Sequence, residues 1–325
     1  MKISVIGLGN YGMAIALSLA KNKDNKITIW TEKENLYNEY KKTKKLEMFK
    51  DIKILNNISI SNSYEEVLKD TAIIYIVTAS KYVESVCKNM KPYYKKSIPI
   101  CIASKGIEES SEELLSYVVA NELKTRHIAV ISGPTFAIDI INNEPVALAL
   151  ASTSIKAQRM VMNTLRNDNL KIRVSNDIIG IQICGAIKNV YAIASGIISG
   201  LGYCNSSTAF LINESIHDIK DIIYYYGGKP KTILSYAGVG DLMLTCSSTK
   251  SRNFSFGYII GSNNSEEKIK KYLSNNTVEG YYTLSTVYHM LKKKGLNIGL
   301  INILYDIVYN LDDPHTLIKF LINKE

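Results

Sequence analysis

The start of the chain joins an apolar strand to three closely spaced glycines, and this combination restricts the fold more than any other stretch. The strand-like run at residues 2–6, KISVI, leads directly into Gly7-Leu8-Gly9-Asn10-Tyr11-Gly12, and apolar residues at helical spacing follow. Glycines at this G-x-G-x-x-G spacing allow a tight turn and a close approach of the backbone to a pyrophosphate at the helix N-terminus. The order of strand, glycine turn and helix therefore predicts the first βαβ unit of a dinucleotide-binding domain.

An acidic residue follows the second predicted strand, at residues 27–30. Glu32 lies twenty positions after Gly12, which is where an acid that accepts hydrogen bonds from a ribose diol is expected. A carboxylate at this position repels the 2′-phosphate of NADP. We therefore expect NAD to be preferred, while the neighbouring Lys33 leaves NADP possible.

Strand and helix patterns continue to alternate up to about residue 177. Further strands are predicted at 72–77, 98–103, 127–131, 146–150 and 171–174. Such alternation is typical of an α/β fold with a Rossmann-like, doubly wound and mostly parallel sheet. Small polar clusters at 78–80, 104–106 and 132–137 follow three of these strands, at the ends where such sheets bind ligands. A loop that caps a helix is a fair alternative for any one cluster, but three such clusters at strand ends favour a binding site.

The remainder of the chain predicts an all-α domain. Helices are expected at 178–198, 206–226, 266–273, 281–294, 298–310 and 314–322. We therefore predict a dinucleotide-binding domain at residues 1–177 and a helical substrate-binding and catalytic domain at residues 178–325.

The stretch at residues 181–196, IQICGAIKNVYAIASG, is predicted to be a buried helix with a single charged residue, Lys188. A buried ammonium group is costly unless it is paired or used. Taken alone, Lys188 is better explained by a side chain that extends along the helix edge to water.

A segment at residues 237–248, AGVGDLMLTCSS, reads as an unusual loop, and Ser251-Arg252-Asn253 follows it at a predicted helix start. This arrangement of donors suits a phosphate group. A polar helix cap with an exposed arginine is the alternative. Asp241 could be a turn residue, and Glu279 could be an N-terminal helix acid favoured by the helix dipole.

Composition excludes several classes of protein. With 325 residues, 46% hydrophobic and 21% charged, the chain is an ordinary globular protein that is long enough for two domains. Five widely spaced cysteines without a Cys-x-x-Cys pair predict reduced thiols in the cytoplasm, and four scattered histidines argue against zinc. Glycines interrupt the uncharged run at 189–213, so no membrane span is expected. The net charge of +9 has no accompanying nucleic-acid motif, so we expect no nucleic-acid partner.

The motifs together resemble the bacterial-type NAD(P)-dependent glycerol-3-phosphate dehydrogenases over nearly the whole chain. The matching segments are GLGNYG (7–12), ASKGI (103–107), SGPTFA (132–137), GAIKNV (185–190), GVGDLMLTC (238–246), SRNFSFG (251–257) and VEG (278–280). The resemblance implies reversible hydride transfer between NAD(H) and the C2 atom of dihydroxyacetone phosphate or sn-glycerol 3-phosphate, which supplies phospholipid synthesis. It implies a small phosphorylated triose as substrate, and we also expect a homodimer.

The resemblance also implies the roles of individual residues. Lys188 matches the catalytic lysine. The implied substrate-binding residues are Lys105, Gly133, Thr135, Asp241, Ser251, Arg252 and Asn253. The implied cofactor-binding residues are Gly7, Gly9, Asn10, Tyr11, Gly12, Glu32, Lys105, Ala137, Arg252, Thr277 and Glu279.

Some features depart from the family pattern, and two other functions stay open. Many members have an arginine where this chain has Glu32, and an arginine-glycine pair where it has Asn213-Glu214. One alternative function is another two-domain dehydrogenase of the hydroxyacid type. The other is a dinucleotide-binding sensor without catalysis, which would have no use for Lys105, Lys188 and Arg252 together.

Overall fold

The computed structural model describes residues 1–263 and 265–324. The chain divides into two compact units, which we call the sheet unit (Met1–Ser104 and Leu115–Ile178) and the helical unit (Lys105–Leu114 and Ile179–Glu325). Segment Lys105–Leu114 thus packs with the helices that follow it much later in the chain. The division of roles at residues 177 and 178 stays a prediction.

A single eight-stranded sheet forms the centre of the described part of the sheet unit. Its strands are β1 Lys2–Ile6, β2 Lys26–Trp30, β3 Ile58–Ser61, β4 Ile73–Ile76, β5 Ile100–Ile102, β6 Ile128–Ser132, β7 Val146–Ser152 and β8 Leu170–Ser175. Their order across the sheet is β3-β2-β1-β4-β5-β6-β7-β8. All neighbours are parallel except β6 and β7. The prediction of a Rossmann-like, mostly parallel sheet is confirmed.

Helices cover the strands of this sheet, so the central strands consist of nearly continuous apolar residues. The helices are α1 Asn10–Ala20, α2 Glu34–Thr43, α3 Tyr64–Leu68, α4 Val83–Met90, α5 Leu115–Leu123, α6 Ala137–Ile141 and α7 Ile155–Leu165. Strand β3 was not predicted, because its four residues, ISIS, alternate between apolar and small polar side chains. The other strands lie within about two residues of their predicted positions.

The described part of the helical unit contains no strand of the sheet, and the prediction of an all-α second half is confirmed. Its helices are α8 Ile178–Gly200, α9 Asn205–Tyr225, α10 Asp241–Cys246, α11 Arg252–Asn263, α12 Glu266–Asn275, α13 Glu279–Lys293, α14 Gly299–Tyr309 and α15 His315–Asn323. The prediction of a loop at 237–248 is wrong, because this stretch contains the end of a π-helical turn, Tyr236–Gly240, followed by α10. Closely spaced glycines and a helix of only six residues hide the helical periodicity there.

Helix α8 is the core helix of the helical unit. By length and composition this helix could cross a membrane, but 89% of its most apolar 18-residue stretch is buried inside the protein. It contacts α11 backbone to backbone through glycines on both helices. A Cβ atom at Gly196 would lie 2.0 Å from the carbonyl oxygen of Phe254, and one at Gly257 would lie 1.9 Å from that of Ile193. This packing holds the N-terminal end of α11 close to the middle of α8.

The end of the chain is tied to α9 through Lys324. Its ammonium group lies 3.0 Å from a carboxylate oxygen of Glu214 and 2.7 Å from one of Asp218. Asp218 in turn accepts a hydrogen bond of 3.0 Å from the buried hydroxyl of Tyr191 on α8. Glu214, which departs from the family pattern, therefore takes part in an ion pair that holds the C-terminal segment.

Candidate active site

Lys188 lies inside the helical unit and does not extend to water. Only 6% of the residue is exposed. Its Nζ atom donates hydrogen bonds to Asp241 Oδ1 at 2.5 Å and to Thr245 Oγ1 at 2.9 Å. The buried charge is therefore paired, as a lysine in such a helix requires.

Asp241 joins two ammonium groups. Its carboxylate is 1% exposed, and its second oxygen, Oδ2, accepts a hydrogen bond of 2.8 Å from Lys105 Nζ. Lys105, Lys188 and Asp241 are thus brought together from three separate parts of the chain. We call these residues, together with Thr245, the lysine-aspartate cluster.

The turn before α10 determines where the Asp241 carboxylate lies. Gly238 has φ −88° and ψ −110°, and a Cβ atom on it would lie 1.9 Å from the carbonyl oxygen of Ile233. The backbone can therefore pass this point only with glycine. One helical turn beyond Asp241, the Thr245 hydroxyl donates to the Asp241 carbonyl oxygen at 2.6 Å. Since that bond uses the hydroxyl hydrogen, the oxygen is free to accept from Lys188.

The environment lowers the pKa of Lys188 to about 8. Burial is the largest cause, because it penalises the charged amine. The Asp241 carboxylate raises the pKa, and the nearby Lys105 ammonium lowers it. A lysine with this pKa can donate and accept a proton close to neutral pH, which is what general acid-base catalysis requires.

A second group of polar side chains adjoins Lys188 along α8. Asn253 Nδ2 donates to Asn189 Oδ1 at 3.0 Å, and Asn189 Nδ2 donates to Glu279 Oε2 at 3.3 Å. The Gly280 amide donates to Asn253 Oδ1 at 2.8 Å. This chain of hydrogen bonds links the first turns of α11 and α13 to the residue that follows Lys188.

Three other predicted site residues of the helical unit, Ser251, Arg252 and Thr277, lie outside this chain of hydrogen bonds. Ser251 is 4% exposed and caps α11, where its hydroxyl accepts from the Phe254 amide at 3.3 Å. Arg252 and Thr277 are exposed. Within residues 1–263 and 265–324, the Arg252 guanidinium has no hydrogen-bonding or ion-pair partner. The arginine is therefore available to an anion from solution.

The glycine loop of the sheet unit has the backbone shape that its sequence predicts. Gly7 has φ +122°, and a Cβ atom at Gly12 would lie 1.9 Å from the Gly7 carbonyl oxygen. Around Gly9, by contrast, a Cβ atom would meet nothing within 4 Å. Gly9 and Asn10 are exposed at the start of α1, and no side chain caps this helix. Open backbone donors at a helix N-terminus fit a pyrophosphate.

Further predicted residues of the sheet unit lie at or near the carboxyl ends of its strands. The hydroxyl groups of Tyr11 and Thr135 are 3.0 Å apart. A Cβ atom at Gly133 would lie 2.6 Å from the carbonyl oxygen of Ala147, and Ala137 begins α6. Glu32 is exposed just after β2.

Two hydroxyl groups near these strand ends lack a partner. Thr78 Oγ1 and Ser132 Oγ are buried without a hydrogen bond to any atom of the described residues. Buried polar groups of this kind are unusual unless a ligand or water satisfies them. Together with the open glycine loop and the exposed acid after β2, they fit a dinucleotide.

Sequence reasoning assigned no role to two residues of the helical-unit site. Thr245 occurs inside the recognised GVGDLMLTC segment, and Asn189 follows Lys188 directly. A signal for Thr245 was its spacing of four residues from Asp241, which places both on one helix face. No spacing rule connects Asn189 to Asn253, because their contact depends on how α8 packs against α11.

Comparisons with known proteins agree on one family. The family models of the NAD-dependent glycerol-3-phosphate dehydrogenase N-terminus and C-terminus match residues 2–158 and 177–319. The chain is 31% identical to the glycerol-3-phosphate dehydrogenase [NAD(P)+] of Clostridium botulinum, over 100% of this chain and 98% of that protein. It is also 31% identical to the enzyme of Wolbachia pipientis, over 99% of this chain and 100% of the relative.

A solved structure supports the same family. The glycerol-3-phosphate dehydrogenase of Coxiella burnetii superposes with a TM-score of 0.94 at 28% identity, with 99% of each chain covered. The relatives match the chain over its full length, and the structural match includes both units. The chain belongs to the family of NAD(P)-dependent glycerol-3-phosphate dehydrogenases.

Proposed function

We propose that Lys188 is the proton donor when this enzyme reduces dihydroxyacetone phosphate to sn-glycerol 3-phosphate. The observation that carries the proposal is the buried Lys188 ammonium, held by Asp241 and Thr245 with a pKa lowered to about 8. The family interconverts these two compounds with NAD(P)H. Because its members are enzymes, membership argues against the sensor alternative, and because they act on glycerol 3-phosphate, it also argues against the hydroxyacid-type alternative.

The chemistry of the reduction explains why a lysine is needed. Bound NAD(P)H supplies the hydride. As the carbonyl is reduced, negative charge develops on the C2 oxygen, and an ammonium group stabilises that charge and then protonates the oxygen. In the oxidation direction the neutral Lys188 amine accepts the proton again. Asp241 orients Lys188 and keeps part of the amine protonated near neutral pH, because its carboxylate raises the lysine pKa.

We propose that Arg252, Ser251 and Asn253 bind the phosphate group of the substrate. The supporting observation is an exposed arginine at the N-terminal end of α11, a helix of twelve residues. Arginine offers several donors in one plane, and a helix N-terminus adds a favourable dipole. Lys105 and Asp241 are proposed as further substrate residues. The roles of Gly133 and Thr135 in substrate binding stay predictions.

The cofactor residues are proposed in the same way. Backbone donors of the glycine loop would bind the pyrophosphate and the adjoining parts of the dinucleotide. The residues of this loop are Gly7, Gly9, Asn10, Tyr11 and Gly12. The other proposed cofactor contacts are Glu32, Lys105, Ala137, Arg252, Thr277 and Glu279. We further propose that residues 1–177 bind the dinucleotide and residues 178–325 bind the substrate and carry out catalysis.

We propose that NAD is preferred over NADP because the exposed Glu32 carboxylate would repel a 2′-phosphate. The measurement is kcat/KM with NADH and with NADPH. The wild type should favour NADH, and Glu32→Ser should raise the NADPH-to-NADH ratio by roughly tenfold or more. Equal ratios in both proteins would contradict the role of Glu32.

Lys188→Met tests the catalytic assignment with little change in side-chain volume. Turnover of dihydroxyacetone phosphate should fall by roughly 10³-fold or more, because both the charge and the proton are lost. NADH binding, followed by its fluorescence, should survive. Lys268→Met, at an exposed position, is the matched control and should keep normal turnover. Near-normal turnover in Lys188→Met would refute the assignment.

The cellular role is also a proposal. We propose that the enzyme works in the cytoplasm as a homodimer and supplies glycerol 3-phosphate for phospholipid synthesis. The five cysteines are all free thiols, and four of them are buried, as suits a reducing compartment. Light scattering coupled to size exclusion tests the dimer. Labelling of phospholipids from dihydroxyacetone phosphate in depleted cells tests the supply role.

A further inference from the structure

A cavity in the helical unit lies among residues that the reaction does not use. Its volume is about 380 Å³, which is within the usual range for small-molecule sites. Glu109 and Glu112 from segment Lys105–Leu114 line it, together with Tyr281, Tyr282 and His289 from α13 and Tyr309 from α14. We call it the tyrosine-glutamate cavity.

The charge of this cavity is opposite to that of the protein as a whole. Two glutamates line it and no lysine or arginine does, whereas the chain has a net charge of +9. Lys293 reaches Glu112 only at 3.5 Å, and its side chain is 74% exposed. Such an exposed contact is easily exchanged for another cation.

The aromatic rings add a second reason to expect a cation. The ring of Tyr309 is packed against those of Tyr281 and Tyr305, at 4.6 Å and 4.8 Å, whereas Tyr282 meets Tyr281 edge to face at 5.3 Å, so Tyr282 is the ring we expect a cation to contact. Burial raises the pKa of Tyr281, and also that of Tyr309, so both phenols stay neutral. Neutral aromatic faces attract ammonium groups, and tyrosine-lined sites are a common means of binding alkylated amines.

The arrangement does not favour a metal ion. No group of three or more histidine, cysteine, aspartate or glutamate side chains in residues 1–263 and 265–324 is placed to hold one. Apolar ring surface is a poor environment for a hydrated metal ion but a good one for alkyl groups on nitrogen. An anion would be repelled by both carboxylates.

We propose that the tyrosine-glutamate cavity binds an organic cation of the alkylammonium class. The two carboxylates supply the countercharge, and the tyrosine rings cover the apolar part of the ligand.

The same segment connects the cavity to the lysine-aspartate cluster. Residues Ile107 and Leu114 form an antiparallel bridge, and Glu108 accepts hydrogen bonds from the Ser110 hydroxyl at 2.9 Å and the Ser111 amide at 2.6 Å. This closed loop begins two residues after Lys105. A ligand that bridges the loop and α13 would therefore restrict the backbone that carries Lys105, a coupling that rests on the proposed function.

Choline and its uncharged carbon isostere, 3,3-dimethylbutan-1-ol, test the site at constant ionic strength. Binding is followed on their methyl signals by a ligand-observed NMR titration, which requires no turnover. Choline should bind at least roughly fivefold more tightly than the isostere. Equal binding of the two compounds would overturn the proposal.

Variants locate the binding within the cavity. Glu109→Gln, Glu112→Gln and Tyr282→Leu should each weaken choline binding by roughly threefold or more. Glu113→Gln, in the same loop but outside the lining, is the matched control and should bind choline normally. Thermal melting identifies any variant that fails to fold, and Tyr282→Phe, which keeps the ring, should then retain binding. Unchanged affinity in folded glutamate variants would overturn the assignment.

The coupling is tested separately by kinetics. Saturating choline should lower the apparent KM for dihydroxyacetone phosphate by about twofold, because a restricted Lys105 loses less freedom when substrate binds. The effect should disappear in Glu112→Gln. Choline binding without any change in KM would refute the coupling. A protein that binds choline but turns over no phosphotriose would refute the proposed function and leave the cation site supported.

Discussion

Replacing Asp241 with asparagine would remove the negative charge that two lysines share and keep the shape of the side chain. Lys188 Nζ lies 2.5 Å from Asp241 Oδ1. At an effective dielectric constant of 20, two unit charges at that distance attract by about 7 kcal/mol. The asparagine carbonyl oxygen would keep part of this attraction, so we expect the Lys188 ammonium to lose roughly 3 kcal/mol of stabilisation. That loss corresponds to a lysine pKa lower by about two pH units.

The direction follows from the charges. The pKa of Lys188 is lowered from 10.5 to about 8, with the Asp241 carboxylate opposing the larger effect of burial. Without that carboxylate the pKa should fall to roughly 6. At pH 7.5 the protonated fraction would then decrease from about three quarters to about 3%.

The assay is the pH dependence of kcat/KM for reduction of dihydroxyacetone phosphate by NADH. For the wild type, reduction should decline as the pH rises through about 8, where Lys188 loses its proton. For Asp241→Asn the decline should begin near pH 6. At pH 7.5, relative to its own acid plateau, the variant should be roughly 25-fold less active than the wild type.

A neutral variant provides the control for this experiment. Thr245→Val removes a hydrogen bond of 2.9 Å from Lys188 but no charge, so its profile should move by less than about one pH unit. If the profile of Asp241→Asn declines at the same pH as that of the wild type, Asp241 does not set the lysine pKa. The electrostatic reasoning would then be wrong.

Three further predictions concern substrate binding and stability. Arg252→Ala should raise the apparent KM for dihydroxyacetone phosphate by roughly tenfold or more, and an unchanged KM would remove its phosphate role. Gly257→Ala would place a Cβ atom 1.9 Å from the Ile193 carbonyl oxygen and should lower the free energy of unfolding in urea by about 2–4 kcal/mol; an unaltered unfolding midpoint would contradict the tight packing of α8 against α11. Lys324→Met should lower that free energy by about 1–3 kcal/mol, since a buried carboxylate on α9 loses its partner, whereas Lys319→Met at an exposed position should have no effect.

The amino-acid sequence was sufficient to predict the sheet, the helical second half and the family. These features depend on signals between neighbouring residues, such as apolar runs, the glycine spacing of residues 7–12 and the helical periodicity around Lys188. The structure confirms the sheet with its parallel strands. Strand β3 and helix α10 were missed because they are short and carry weak periodicity.

The sequence alone could not show which side chains meet. Lys188 and Asp241 are 53 residues apart, and Lys105 and Asp241 are 136 residues apart. No local pattern can predict such contacts, because they depend on how closely backbones approach at glycines such as Gly238 and Gly257. For the same reason the roles of Thr245 and Asn189 were not predicted.

The tertiary structure also decided the state of the lysine that the sequence singled out. A lone charge in an apolar helix fits both a side chain that reaches water and a buried catalytic amine. Lys188 is buried with a carboxylate and a hydroxyl as partners, which excludes the side chain that reaches water, while its catalytic role stays a proposal. Whether a buried charge is paired depends on residues distant in the chain, so only the folded arrangement can determine it.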